Sequence, residues 1–222
     1  MNQWKLRWKE GRIGFHLLEV NDYLKRFSDK FIKKNVKKIF VPFCGKSLDM
    51  PWLAERAKKV VGVELVKRPV EEFFEENKLN YTIKRLGKFE LFQSNSIEIF
   101  NGDFFDLLNF QTGKFEAIYD RASIVSLEFT MRTKYVEHLM TFLVDGGKLL
   151  LITLEYDQKE MSGPPYSLSF SEVKNLFSGF ADVELLETRE ITDKRLREKG
   201  LSQMLERVIL IKKINIPTRK KF

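Results

Sequence analysis

The sequence predicts an α/β fold, a doubly wound and mostly parallel sheet with helices on both faces. Three observations predict it. Strand-like apolar runs and helix-like periodic stretches alternate from residue 38 to about residue 178, and such units join through right-handed crossovers into a parallel sheet. KIFVPF (38–43) and KVVGVEL (59–65) are apolar at nearly every position, as strands buried on both faces are. Between them lie the loop FCGKS and a helical stretch, and the second run closes near Glu64, 19 residues after Gly45 (64 − 45). Strand, turn, helix, strand and acid at that spacing outline a dinucleotide-type unit.

Residues 1–10 read as a short amphipathic helix with Trp4 and Trp8 on one face, at i and i+4. Residues 17–34 continue helically, because Leu17, Leu18, Tyr23, Leu24, Phe27 and Phe31 recur at three- and four-residue spacing. After the first strand, 47–57 reads as a helix with Ser47 as its N-cap and Pro51 in its first turn, where a missing N–H is tolerated. The second strand leads into a helix over 68–79, with Pro69 near its first position. Apolar alternation on either side of Gly87 predicts an inserted hairpin, followed by SIEIFNG (96–102) as the third core strand. KFEAIYDR (114–121) is the fourth strand, 132–144 a helix and GGKLLLITLEY (146–156) the fifth strand. Behind the loop DQKEMSGPPYSLS comes a helix over 171–178. DVELLETREI and MLERVILIKK then follow in series with no helix between them, which predicts an antiparallel pair closing the sheet edge.

A chain of 222 residues is long enough for one domain with a sizeable core. Its expected parts are an N-terminal helical segment (1–34), an α/β core (35–213) and a basic tail (214–222). Hydrophobic residues at 43% and charged residues at 32% suit a globular domain, and no apolar run approaches the ~20 residues that span a bilayer. The opening stretch MNQWKLRWKEGRIGFH has no signal-peptide core, and a single cysteine, Cys44, excludes an internal disulfide framework. The expectation is a cytoplasmic monomer without a membrane partner. The net charge of +8 comes from KKNVKK (33–38), KRLGK (84–88), KRLREK (194–199) and RKK (219–221), scattered among glutamates and loops. These clusters read as solvated surface. The alternative, a non-catalytic nucleic-acid binding module, has the charge but no accompanying nucleic-acid motif.

In a doubly wound sheet the ligand sits beyond the C-terminal ends of the strands. Those ends carry Phe43, Cys44, Gly45 and Lys46, then Glu64, then Asp103 and Phe104, then Asp120 and Arg121. A pyrophosphate needs several converging N–H groups and glycines that admit it, whereas FCGKSLDM offers one glycine beside a bulky phenylalanine. That suits a ligand with a ribose and no phosphate, and S-adenosyl-L-methionine is such a ligand. Glu64 takes the ribose diol, and Asp103 with the Phe104 amide reads the adenine edge. Aromatic faces suit the sulfonium through a cation–π attraction of about 0.5–2 kcal/mol. Blander readings stand beside these: Glu64 at a solvated strand edge, Asp103 as N-cap of FFDLL, Arg121 paired with Asp120, Trp4 and Trp8 as a packing stripe. Cys44 reads as a small buried residue. His16 and His138 lack metal-ligand spacing, so no metal is expected.

The pieces WKLRWKEGRIGFHLLEVNDYL, VPFCGKSLDMPWLAERAKKVVGVEL, YDRASIVSL, MRTKYVEHL, LLLITLEYDQKEMSGPPYS and REKGLSQMLERVILI run in order over roughly residues 4–212. In them the chain resembles the thiopurine S-methyltransferase family, its bacterial branch most closely. The resemblance implies the Rossmann-like methyltransferase fold, seven strands with the last antiparallel, and S-adenosyl-L-methionine as cofactor with S-adenosyl-L-homocysteine as product. It implies that the N-terminal segment folds over the cofactor, which moves Trp4, Trp8 and Phe15 from packing stripe to cofactor cover. Phe43, where the family usually carries leucine, contacts the cofactor through its main chain beside Gly45. Glu64 matches the ribose-binding acid, Asp103 and Phe104 the adenine-contacting pair, and Arg121 the arginine near cofactor and acceptor. Phe15, Arg121, Pro165 of the SGPPY loop and Arg195 fall on the acceptor side.

The activity so implied is methyl transfer by in-line displacement to the sulfur of a thiopurine or other aromatic thiol, with selenium or tellurium compounds as further acceptors. A sulfonium is already a good leaving group, and such a thiol ionises near neutral pH, so no catalytic base is expected. Arg121, with Arg195, favours the thiolate. A nicotinamide-dependent oxidoreductase on the same fold lacks its glycines here.

Overall fold

The computed structural model describes residues 2–198 and 200–215. Beyond residue 215 the expected basic tail, with the cluster RKK, lies outside the described residues. The chain packs as two compact units, Met1–Tyr119 and Asp120–Phe222.

The first unit runs α1 (Asn2–Lys9), α2 (Asp22–Phe31), β1 (Lys38–Val41), α3 (Asp49–Ala54), β2 (Lys59–Glu64), α4 (Lys67–Glu76), β3 (Thr82–Leu86), β4 (Phe89–Gln93), β5 (Ile97–Asn101), α5 (Asn109–Thr112) and most of β6 (Phe115–Arg121). Its strands lie in the order β3-β4-β5-β2-β1-β6. β1 pairs parallel with β2 and β6, and β2 parallel with β5, so that Ile39 faces Val60 and Ala117. Ile39, Phe40, Val60, Val63, Ile99, Ala117 and Ile118 are fully enclosed, as the unbroken apolar runs require. β3, β4 and β5 pair antiparallel in series; the inserted hairpin is therefore present and extends the sheet past the third core strand.

The second unit holds α6 (Phe129–Phe142), β7 (Leu143–Tyr156), α7 (Phe170–Leu176), β8 (Ala181–Glu190), α8 (Lys194–Glu198) and β9 (Met204–Lys213). Its strands lie in the order β7-β9-β8, with both pairings antiparallel. The expected terminal pair is thus β8 and β9. The nine strands among the described residues are the seven of the expected core plus the two of the hairpin. No helix among the described residues is long and apolar enough to cross a membrane.

Three expectations are corrected. The helix read over 17–34 begins only at Asp22: the side chain of Asn21 accepts from the Leu24 amide and caps it, and Leu18 stands 86% exposed. The helix read over 47–57 is Asp49–Ala54, with Leu48 in the cap position. Ser47 instead accepts the Asp49 amide at its hydroxyl, 3.2 Å away. Between β8 and β9 a short helix, α8, interrupts what read as a direct hairpin; it buries none of its residues, so no periodic pattern announced it.

Candidate functional site

In the first unit the site grows from the end of β1. After Val41 the chain turns sharply, and both Phe43 (φ 44°) and Gly45 (φ 52°) take the left-handed backbone conformation. A phenylalanine adopts it only against a cost of about 1–2 kcal/mol. The turn is held by the Cys44 amide, which donates to the Val63 carbonyl at 3.0 Å. Gly62 makes this possible, because a Cβ there would meet the Cys44 sulfur at 2.6 Å. The loop is therefore sewn to β2.

Glu64 closes β2 and is nearly enclosed, 7% exposed. One carboxylate oxygen accepts the Gly45 amide at 3.0 Å and the other the Val66 amide at 2.8 Å. The solvated strand edge is thereby excluded as its environment. Burial pushes its pKa up to about 7, against the opposing effect of the backbone N–H groups of Val66, Gly45 and Leu65. Lys46, next in the loop, bridges to Glu72 at 2.9 Å and Glu76 at 2.6 Å on α4. The loop is thus fastened to the helix that follows the acid.

The N-terminal aromatics come to the same place. Phe15 meets the Trp4 and Trp8 rings edge-on at 5.9 and 5.5 Å. Trp8 is buried and lies against Gly45, where a Cβ would approach its ring within 3.1 Å. Phe43 meets Phe104 edge-on at 5.6 Å, and Phe104 stacks near Phe40 in the core. Asp103 caps the single turn Phe104–Asp106, accepting the Phe105 amide at 2.9 Å; the blander reading of this residue is present in the structure. The structure therefore gathers Trp4, Trp8 and Phe15 together, lays Trp8 on Gly45, joins Gly45 to Glu64, and sets Phe43 against Phe104.

These residues fit a ribose-bearing ligand without phosphate. A buried carboxylate offers acceptors to a diol and repels an anion. The loop carries one glycine where a pyrophosphate would need several converging N–H groups, and the aromatic faces suit a cation.

The second unit begins at the end of β6. Asp120 is buried and accepts the Tyr135 hydroxyl at 2.7 Å and the Ser123 and Ile124 amides at 3.3 and 3.4 Å. Burial pushes Asp120 up to about 6, with the Tyr135 hydroxyl acting against it. Ala122 is held at φ 66° inside this turn. Arg121 rides on it, half-buried. Pro165 lies in a loop anchored by Tyr156, whose hydroxyl donates to the Pro165 carbonyl at 2.5 Å and accepts from Gln158 at 3.1 Å. Gln158 also bonds the Met161 carbonyl and the Ser167 amide. Tyr156, Leu201 and Met204 form a small core on which Met161 and Leu196 pack, which ties this loop to α8. Arg195 is exposed on α8. Sequence reasoning missed Tyr156, Gln158 and Asp49 (below); only Tyr156 had a signal, its place at the end of the fifth strand. No group of histidine, cysteine and carboxylate side chains able to hold a metal occurs among the described residues.

Comparison with known proteins bears on the family and the fold. The model of the family described as thiopurine S-methyltransferase matches residues 1–214. A thiopurine S-methyltransferase of Pseudomonas fluorescens (strain SBW25) is 42% identical over 207 residues, covering 92% of this chain and 95% of the relative. One from Vibrio atlanticus is 42% identical over 212 residues, covering 94% and 95%. Among solved structures, the 1,6-didemethyltoxoflavin-N1-methyltransferase of Burkholderia thailandensis, with bound S-adenosylhomocysteine, superposes with a TM-score of 0.64 at 12% identity, over 96% of this chain and 87% of the other. The YcgJ protein of Bacillus subtilis also reaches 0.64, at 11% identity, over 88% and 100%.

Proposed function

We propose that this chain, which belongs to the thiopurine S-methyltransferase family, moves the methyl group of S-adenosyl-L-methionine to the sulfur of a thiopurine or another aromatic thiol. Soft selenium and tellurium nucleophiles are included as acceptors. Family membership makes the protein an S-adenosyl-L-methionine-dependent methyltransferase with the class I fold. The acceptor, the site residues, the single-domain organisation over 1–222, the cytoplasmic location and the monomeric state belong to the proposal.

The observation that carries it is the Gly45–Glu64 junction: a buried carboxylate joined to a one-glycine loop under Trp8. The cofactor supplies a methyl group on a good leaving group. The chain supplies position, a proximity effect of at most about 7–11 kcal/mol. In this reading Glu64 accepts the ribose hydroxyls, and Asp103 and Phe104 read the base. Phe43 and Gly45 present main chain, while Trp4, Trp8 and Phe15 exclude water. Arg121 and Arg195 stabilise the thiolate, and Phe15 and Pro165 line the acceptor. No side chain is assigned as a base, because the thiol is ionised near neutral pH.

The test is a methyl-transfer screen over thiopurines, other aromatic thiols, selenite and tellurite, with product masses read directly. Mass gain of one methyl on a thiol sulfur supports the reading. Transfer only to nitrogen or oxygen nucleophiles, or to none with cofactor bound, overturns the acceptor assignment.

A further inference from the structure

We infer that Asp49 is a positioning residue for the cofactor site, holding the N-terminal aromatic cover in register with the glycine loop. The inference rests on the cofactor reading above.

Asp49 sits four residues beyond Gly45, at the first turn of α3, and is 1% exposed. Its carboxylate works in two directions. One oxygen accepts the backbone amide of Asn21 at 2.8 Å, and the other accepts the Tyr119 hydroxyl at 3.0 Å. Asn21 is the residue that caps α2, with its own side chain on the Leu24 amide at 3.1 Å. Tyr119 is a fully enclosed residue of β6, stacked near Phe31 of α2. A single side chain therefore fixes where α2 starts, relative to a core strand and to the loop.

The other end of the N-terminal segment bears on that same loop, because Trp8 lies on Gly45. Residues 8 and 21 are thus referenced to residues 45 and 49. The intervening stretch, with Phe15 against both tryptophans, is thus held at both ends by contacts within the chain. Ordering a cover at the moment of binding costs affinity, and a pre-set cover avoids that cost. Packing does not account for the carboxylate. An apolar side chain of similar volume would fill the space without burying a charge, but it would leave the Asn21 amide without this acceptor, so the cover's anchor point would no longer be specified.

The test separates the anchor from helix capping. Asn21 has φ −56°, which proline adopts without strain. Asn21→Ala and Asn21→Pro both lose the side-chain cap, and only proline also loses the amide that Asp49 accepts. Binding of S-adenosylhomocysteine by calorimetry, and the ligand-induced rise in Tm, are measured on both. The expected result is a dissociation constant at least tenfold higher for Asn21→Pro than for Asn21→Ala, with a smaller ligand-induced rise in Tm. Equal affinities, or a lower unliganded Tm with an undiminished ligand-induced rise, overturn the inference by reducing Asp49 to a structural residue.

A second pair covers poor folding of the proline variant. Asp49→Asn can accept the Asn21 amide and donate to the Tyr119 oxygen, so it should recover most of the affinity that Asp49→Ala loses; no recovery overturns the inference. Failure of the wild type to bind S-adenosylhomocysteine would instead sink the cofactor reading.

Discussion

At the scale of single residues, Glu64 is the most informative. If Glu64 takes the ribose diol as in the proposed function, the desolvation that pushes it up to about 7 sets a pH dependence for the cofactor. A diol donates to the ionised carboxylate, so below that pKa a proton must first leave. Affinity for S-adenosylhomocysteine is expected to fall by about tenfold per pH unit below pH 7 and to level off above it. Calorimetry from pH 5.5 to 8.5 checks this; Glu64→Ala should weaken binding at least tenfold and flatten the profile. Gly45 gives a second prediction. Alanine there would hold φ 52° with its Cβ 3.1 Å from Trp8, a loss on the order of 1–2 kcal/mol from backbone strain alone. Denaturant unfolding would show it, and tryptophan fluorescence would report the displaced ring. The spacing of Gly45 and Glu64 was legible in the sequence, because strand ends are set by pattern. The left-handed turn at Phe43 was not, since nothing in a phenylalanine calls for it; closure of Cys44 onto Val63 imposes it.

At the scale of elements, strands and most helices followed from periodicity, while their ends followed from side-chain bonds. The N-terminus of α2 illustrates this: Leu17 and Leu18 fit the apolar spacing, yet the helix waits for Asn21 to cap it and for Asp49 to hold it. The loop after β7 is the element on which acceptor choice depends in the proposed function. Its anchor is the Tyr156 hydroxyl on the Pro165 carbonyl. Tyr156→Phe keeps the packing and removes the anchor, so acceptor KM should rise several-fold while cofactor affinity and kcat change little; steady-state kinetics with two acceptors of different size would show it. Arg132 ties α6 to α7 through Glu172 at 2.7 Å and to the Ser167 carbonyl at 2.9 Å. It is almost fully buried while the Glu172 side chain stays 23% exposed, so Arg132→Met should cost roughly 1–3 kcal/mol by chemical denaturation, from acceptors left without their donor.

At the scale of the whole molecule, two raised carboxyls shape stability against pH. Glu64 at about 7 and Asp120 at about 6 hold their protons longer in the folded state than in the unfolded chain. Between roughly pH 4 and 7 the native state then binds more protons, so their contribution to stability falls as pH rises, by up to about 1.4 kcal/mol per unit for each group. Without ligand, Tm is expected to drop from pH 5.5 to pH 8 on their account, and the double variant Glu64→Gln, Asp120→Asn should flatten that fall in a pH series of thermal melts. The net charge of +8 acts on solubility and encounter, and no part of the site geometry depends on it. By itself the sequence determined the alternation of strands and helices, the burial of the central strands, the glycine and acid at the strand ends, and the family. Those depend on local pattern, which each stretch carries alone. Only the tertiary structure decided that Trp8 lies on Gly45, that Asp49 holds Asn21 and Tyr119, and that Tyr156 anchors the loop of Pro165. The first two join residues far apart in the chain and the third closes a loop of nine residues, and burial, not local propensity, is what gives a single carboxylate or hydroxyl there its consequence.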